Sequence, residues 1–218
     1  MTEQTKRDLS SYRQRYLQGG LDENEVPNNP FELFGEWFSQ AEEAGLIEPN
    51  AMVVATVDSD GMPSTRTVLL KYFDESGFVF YTNFSSEKAK HISENPKVSL
   101  QFLWLGLERQ VKIQGIAEKV STAESLKYFS SRPKGSQIGA WVSNQSEVIS
   151  SKQLLLNQYQ KMLDKFKHGE VPFPDFWGGY RIKPLNIEFW QGGDNRLHDR
   201  VQYRHSEDGT WQISRLAP

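Results

Sequence analysis

Between Ala51 and Val120 the chain keeps a two-residue apolar period and interrupts it with short turns, a pattern that restricts it to an antiparallel sheet. AMVVATVD (51–58) runs into a DSDG turn, STRTVLLKYF (64–73) into an ESG turn, and FVFYTN (78–83) completes what reads as a meander. After a helix expected at 86–94, KVSLQFLW (97–104) and ERQVKIQGIAEKV (108–120) add two strands joined by a tight connection near Gly106. Five such strands, apolar on at least one side, predict a closed or partly closed barrel.

The flanks are helical. Residues 6–17 predict a short helix that stops at Gly19-Gly20, and LDENEVPNNP reads as a linker. Pro30 then opens a helix in which Phe31, Phe34, Trp37, Phe38 and Ala41 recur at helical spacing, as core residues do. Helices are expected at 122–131, 136–142 and 151–167, after which YRIKPLNIEFW, VQYRH and TWQISRL return as strands from Trp177 onward and rejoin the sheet. The expectation is a single domain over 1–218, mainly β with flanking helices, with an N-terminal helical segment at 1–48 and C-terminal strands at 177–218.

A net charge of −3 with scattered basic residues disfavours a nucleic-acid partner and suits a small phosphorylated ligand. The lack of cysteine removes disulfides, thiolate metal sites and a cysteine nucleophile. A polar N-terminus and the lack of an eighteen-residue apolar run predict a soluble cytoplasmic protein without a membrane partner.

Five constellations carry possible chemistry. In STRTVLLK, Arg66 and Lys71 flank an apolar run; a regular strand would put them on opposite faces, so the strand bulges or ends between them, or they serve different parts of a site, or both snorkel at a rim. In YTNFSSEKAKHI a strand enters a helix, where free amides, Ser85 or Ser86 and Lys88 can hold a phosphate; ordinary capping explains the serines equally well, and Glu87 would repel a dianion unless turned away. In STAESLKYFSSRPKGSQIGAW, Ser121 and Glu124 have capping-box spacing and the helix must end before Pro133. Tyr128, Arg132 and Ser136 can there converge on one phosphate, or Arg132 is simply solvated at a helix end. Gln110, Gln145 and Ser146 can read the edge of a heteroaromatic ring, although such residues are usually only hydrated.

The fifth is FWQGGDNRLHDR (189–200). If 196–200 is extended, Arg196, His198 and Arg200 share one face beside Trp190, a row of cations that a bound anion would offset; a solvated edge strand is the competing explanation. The four histidines show no metal-ligand spacing, and no dinucleotide fingerprint, P-loop or nucleophile elbow occurs. Two phosphate corners and a ring reader imply two phosphorylated planar molecules, and one of them could be a redox cofactor, since the chain itself offers no obvious nucleophile or electron carrier.

RTVLLK, YTN followed by SxKA, LERQV, YFSSRPxxSQIGAWVSxQS, FWGGYR, IEFWQGG, RLHDR and the terminal RLAP together resemble the pyridoxine (pyridoxamine) 5'-phosphate oxidase family, flavin mononucleotide (FMN) enzymes of vitamin B6 metabolism. The likeness runs from about Arg13 to Pro218. It implies an antiparallel, FMN-binding split β-barrel and a homodimer with flavins at the subunit interface, to which the N-terminal segment and the C-terminal strands contribute. By matching motif, the flavin falls to Arg66, Thr67, Val68, Leu69, Leu70 and Lys71, to Tyr81, Thr82 and Lys88, and to Gln110, Gln145, Ser146, Trp190 and Arg200. The substrate phosphate falls to Lys71, Tyr128, Arg132 and Ser136, with Arg196 and His198 against the pyridine ring as the catalytic pair, and Arg13 and Tyr16 as a lid. Glu87 stands where the family commonly has an arginine.

The resemblance further implies that pyridoxamine 5'-phosphate and pyridoxine 5'-phosphate are oxidised at C4' to pyridoxal 5'-phosphate, with O2 reoxidising the flavin to give hydrogen peroxide. Arg196 would orient and stabilise, and His198 would move a proton or hydrogen-bond the substrate. The alternatives are a related split-barrel flavin oxidase acting on another ring, as in phenazine biosynthesis, and a non-catalytic carrier of flavin or pyridoxal phosphate.

Overall fold

A computed structural model of the protein describes residues 11, 15–17, 19–142 and 145–218. Helix α1 (Pro30–Glu43) begins where Asn29 caps it, its Oδ1 accepting from the Phe31 amide over 3.0 Å, with Pro30 in the first turn. Its inward face buries Phe31, Leu33, Phe34, Trp37 and Ala41. Phe34 meets the rings of Phe73, Phe78 and Phe102 edge-on at 4.9 to 5.1 Å, so one helix plugs the hollow of the curled sheet.

Strands β1 (Ala51–Val57) and β2 (Pro63–Leu69) form the expected hairpin, in register from Ala51 opposite Leu69 to Val57 opposite Pro63. The continuous strand expected over 64–73 is broken. At Leu70 the amide donates to Asn50 O and at Lys71 to Val79 O, each over 2.8 Å, so the chain changes partner between two consecutive residues. A separate short strand β3 (Tyr72–Asp74) follows and pairs β4 (Gly77–Asn83).

Helix α2 (Glu87–Glu94) leads to β5 (Lys97–Trp104) and β6 (Arg109–Lys119), joined by a turn at Leu105–Leu107. Helices α3 (Thr122–Ser131), α4 (Lys134–Val142) and α5 (Lys152–Lys165) precede the fifteen-residue β7 (Trp177–Gln191), then β8 (Asp199–His205) and β9 (Trp211–Arg215). The sheet order is β2-β1-β5-β6-β7-β4-β3, with β8 on β7 and β9 on β8, all antiparallel.

The simple meander is therefore corrected. Beyond the hairpins β1–β2 and β3–β4, it is β7 that joins the two halves, pairing β4 through 177–182 and β8 through 186–191 on one edge and β6 on the other. The C-terminal strands do rejoin the sheet. Pro184, which cannot donate to a ladder, falls at the register shift between Gln114 and Gly115.

A smaller core of Phe129, Ile138, Val171 and Trp177 seats α3 to α5 on the start of β7. The helix expected over 6–17 lies mostly outside the described residues, and residues 15–17 are not helical. Among the described residues no helix is long and apolar enough to cross a membrane.

Candidate functional site

The break at Leu70–Lys71 has a functional consequence. A regular strand would separate Arg66 from Lys71, but the change of partner lets both line one cleft of about 850 Å³. Thr67, Val68, Leu69, Tyr81, Thr82, Lys88, Tyr128, Arg132, Ser136, Gln145 and Ser146 line it too, bringing together three of the five constellations and, without Gln110, part of a fourth. Leu70 turns into the core, 5% exposed.

One end of the cleft is a polar network around Lys88. Ser86 begins α2 without capping it through its side chain; its hydroxyl lies 3.4 Å from Lys88 Nζ. Lys88 Nζ donates to Thr82 Oγ1 over 3.0 Å and to Gln145 Oε1 over 2.9 Å, and the Glu87 amide donates to Ser146 Oγ over 3.3 Å. Burial, with the charge of Arg66 adding to it, pulls the Lys88 ammonium down to about 8. Arg66 donates through NH1 to Thr56 Oγ1 (2.5 Å) and Ser64 O (3.1 Å), and through NH2 to Ser64 Oγ (2.9 Å) and Glu87 Oε2 (3.0 Å).

The other end is aromatic. Tyr81, Tyr128 and Trp177 stack with nearly parallel planes, and the Arg132 guanidinium lies 4.7 Å from the centre of the Trp177 ring. Tyr81 fits because Gly179, its cross-strand neighbour, has no side chain; a Cβ there would lie 2.8 Å from the tyrosine ring. Ser121 caps α3 as expected, accepting from the Glu124 amide over 3.1 Å, and Arg132 adopts an extended backbone ahead of Pro133. Tyr81 Oη and Arg132 NH1 are buried without a hydrogen-bond partner. Burial raises both tyrosine hydroxyls above their ordinary range and lowers Arg132 below its own. Polar atoms without partners at one end and a buried ammonium at the other give this cleft the chemistry to hold anions.

The remaining residues gather elsewhere on the chain. Trp190 sits opposite Gln110 on β6 and Arg200 on β8, about 40 Å along β7 from Trp177 at the usual rise per residue. Gln110 accepts from Gln101 Nε2 over 2.8 Å. Arg200 donates to Glu188 Oε1 (2.9 Å) and Ala217 O (2.7 Å), and Lys112 Nζ meets Glu188 Oε2 at 2.5 Å.

The single-faced row of cations is not formed. Asn195 and Arg196 both take left-handed φ angles, 54° and 64°, and β8 begins only at Asp199, so the alternation starts too late to align Arg196 with Arg200. Arg196 is exposed. His198 Nδ1 accepts from the Gly193 amide over 3.1 Å, which leaves the neutral ring's proton on Nε2.

His198 lies 4.6 Å from the Trp190 ring, and Tyr16 meets both edge-on at 5.8 and 5.7 Å. Arg15 pairs with Asp194 at 2.7 Å, fastening residues 15–17 as a strap across the turn. Arg13 lies outside the described residues. Sequence reasoning missed Thr56, which is fully buried and fixes Arg66; the register of the β1–β2 hairpin, Thr56 opposite Ser64, could have revealed it. It also missed Trp177 as the platform beneath Arg132.

The family model described as pyridoxamine 5'-phosphate oxidase matches residues 38–165, and that described as the pyridoxine 5'-phosphate oxidase C-terminal dimerisation region matches 177–218. Pyridoxine/pyridoxamine 5'-phosphate oxidase 2 of Hydrogenovibrio crunogenus is 64% identical over 97% of this chain and 99% of its own length. Pyridoxine/pyridoxamine 5'-phosphate oxidase of Crocosphaera subtropica is 61% identical over 97% and 100%. Among solved structures, PhzG from Burkholderia lata, in complex with tetrahydrophenazine-1-carboxylic acid, superposes with a TM-score of 0.85 at 27% identity, covering 92% of this chain and 100% of that one.

Proposed function

The chain belongs to the pyridoxamine 5'-phosphate oxidase family, and on that premise we propose that it oxidises pyridoxamine 5'-phosphate and pyridoxine 5'-phosphate to pyridoxal 5'-phosphate with FMN as its cofactor. Its curled antiparallel sheet is the split barrel of that family. The amine reaction consumes O2 and water and releases ammonia and hydrogen peroxide; the alcohol reaction consumes O2 and releases hydrogen peroxide. The observation that carries this reading is the cleft itself, where Arg132 NH1 and Tyr81 Oη are buried without partners and Lys88 is buried among neutral ones.

The residues fit both phosphorylated molecules. Arg66, Lys88, Gln145 and Ser146 form the corner for the flavin phosphate, at the start of α2 where backbone amides add positive potential. Lys71, Tyr128, Arg132 and Ser136 form the corner for the substrate phosphate. FMN, when bound, supplies the two-electron acceptor and the route to oxygen.

The protein binds the remote phosphate and so orients C4' for reaction, spending binding energy far from the bond that changes. Arg196 meets the pyridine ring, and His198 presents Nε2–H to the substrate, its ring held by the Gly193 amide. On one chain these two lie away from the cleft, so we assign them, with Gln110, Trp190 and Arg200, to the cleft of a second copy in a homodimer. The match of 177–218 to a dimerisation region supports that assignment. Tyr16, with Arg13, closes over the substrate. The phosphate esters involved are charged and do not cross a bilayer unaided, which supports a cytoplasmic location for the reaction.

The test is a visible spectrum of the purified protein, followed by pyridoxamine 5'-phosphate without oxygen. Flavin bands that bleach and return with air are expected. Bound flavin that stays oxidised with both vitamers would overturn the reading. Unphosphorylated pyridoxamine should bleach it only at far higher concentration, which separates this function from oxidation of an unphosphorylated ring.

A further inference from the structure

The flavin corner contains an anion of the protein's own. Arg66 makes four hydrogen bonds, and three of them are anchored: to Thr56, fully buried, and to the carbonyl and hydroxyl of Ser64 on its own strand. The fourth partner is the Glu87 carboxylate, at 3.0 Å. Its side chain is 55% exposed against 17% for Arg66, so this partner alone can leave for water with little loss. The neighbouring Lys88 is occupied only by Thr82, Ser86 and Gln145, all neutral. One cation of the corner thus has only neutral partners for an incoming anion to displace, while the other already holds a carboxylate.

We propose that Glu87 stands on Arg66 where a ligand phosphate oxygen binds, and thereby sets how strongly this chain prefers a phosphorylated flavin to an unphosphorylated one. The inference rests on the FMN reading above. A phosphate dianion reaching Lys88 also reaches Arg66, and a carboxylate kept there would be a like charge within a few ångströms, in a corner walled by protein. Exchange removes that repulsion: Glu87 swings into solvent and the phosphate takes its place on NH2. Cofactor loading then carries the cost of breaking one partly exposed ion pair, a cost that riboflavin, which lacks the phosphate, does not meet.

The opposite role for Glu87 would be as a positioning residue that stays in place and aims Arg66 at the phosphate. The two roles differ in the sign of one measurement. Dissociation constants of FMN and of riboflavin are determined by flavin fluorescence with the full-length apoprotein, for wild type, Glu87→Gln, Arg66→Ala and the double variant. Exchange predicts that Glu87→Gln tightens FMN about three- to tenfold and leaves riboflavin unchanged. It also predicts that this gain is absent in the Arg66→Ala background.

An FMN constant that is unchanged or weaker in Glu87→Gln overturns the inference. So does a parallel change in riboflavin, or a gain that survives the loss of Arg66. A wild-type protein that shows no preference for FMN over riboflavin would instead remove the cofactor reading, and the inference with it.

Discussion

Tyr81 and Tyr128 stack face to face, ring centroids 4.0 Å apart and planes 22° apart, although one belongs to strand β4 and the other to helix α3. The stack fixes where the Tyr128 hydroxyl points. Tyr128→Phe keeps the stack and loses the hydroxyl, so KM for pyridoxamine 5'-phosphate should rise about tenfold, the worth of one hydrogen bond to a charged group, with FMN affinity unchanged. Steady-state kinetics beside a flavin titration check this, and an unchanged KM would remove Tyr128 from the substrate corner.

Arg132 combines two properties that lysine cannot both supply, a flat cation lying on Trp177 and a buried NH1 without a partner. Arg132→Lys should therefore resemble Arg132→Ala, each raising KM by about thirtyfold or more while leaving the flavin spectrum intact. Near-complete rescue by lysine would show that charge alone is used.

Lys88 gives the site a pH dependence whose sign follows from its environment. Burial favours the neutral amine, pulling the group from its ordinary 10.5 to about 8. Between those values the unfolded chain holds more protons than the free folded protein, so the apoprotein gains stability as pH rises from about 8 toward 10.5, and its cost of holding the ammonium is present in full below 8. Phosphate binding needs the ammonium and thus acts in the opposite sense. FMN affinity should fall as pH rises above about 8, and Lys88→Met should bind weakly with a flat profile. Titrations at pH 7 and pH 9 decide it, since equal wild-type affinities would exclude Lys88 as a phosphate ligand.

Glu188 is buried between Arg200 and Lys112, at 2.8 and 2.5 Å, and joins β6, β7 and β8. Glu188→Ala leaves two cations facing each other, both in contact with solvent at 27% and 41% exposure, which limits the cost to about 2 kcal/mol. For a chain of this length that is a fall in Tm of about 4–8 °C. Thermal unfolding of the apoprotein measures it, and a change of under a degree would mean that the triad contributes no net stability.

Gly192 lies directly beneath Tyr16, and a Cβ there would come within 2.8 Å of the tyrosine ring. Gly192→Ala should lift the strap and speed tryptic cleavage after Arg15, which pairs with Asp194 at the same turn. Mass spectrometry of a timed digest reads this out. Cleavage at the wild-type rate would show that the strap does not depend on the Tyr16 contact.

The strands were legible where they bury alternate residues: β1 and β5 carry Met52, Val54, Leu100 and Phe102 inward at positions their periodicity picks out. So was the helix at Pro30, from its ring spacing and proline start. Partner choice was not legible. The residues of β4 fit a pleated sheet equally well beside β2 or β7, and pairing across a hundred residues leaves no local mark.

The candidate site divides in the same way. Tyr128, Arg132 and Ser136 were readable as a group because helix period and a proline stop place them close together. Arg66 and Lys71 were not, since a strand period separates them and only the change of partner at Leu70 reunites them. By itself the sequence determined the periodic elements, the aromatic core helix and the residues able to meet phosphate, all properties of short segments. Tertiary structure alone decided which cations share a cleft, that Arg196 leaves the face of Arg200, and that Glu87 closes on Arg66. Those outcomes depend on long-range pairing and on two left-handed residues, whose energies are set by contacts that no local window contains.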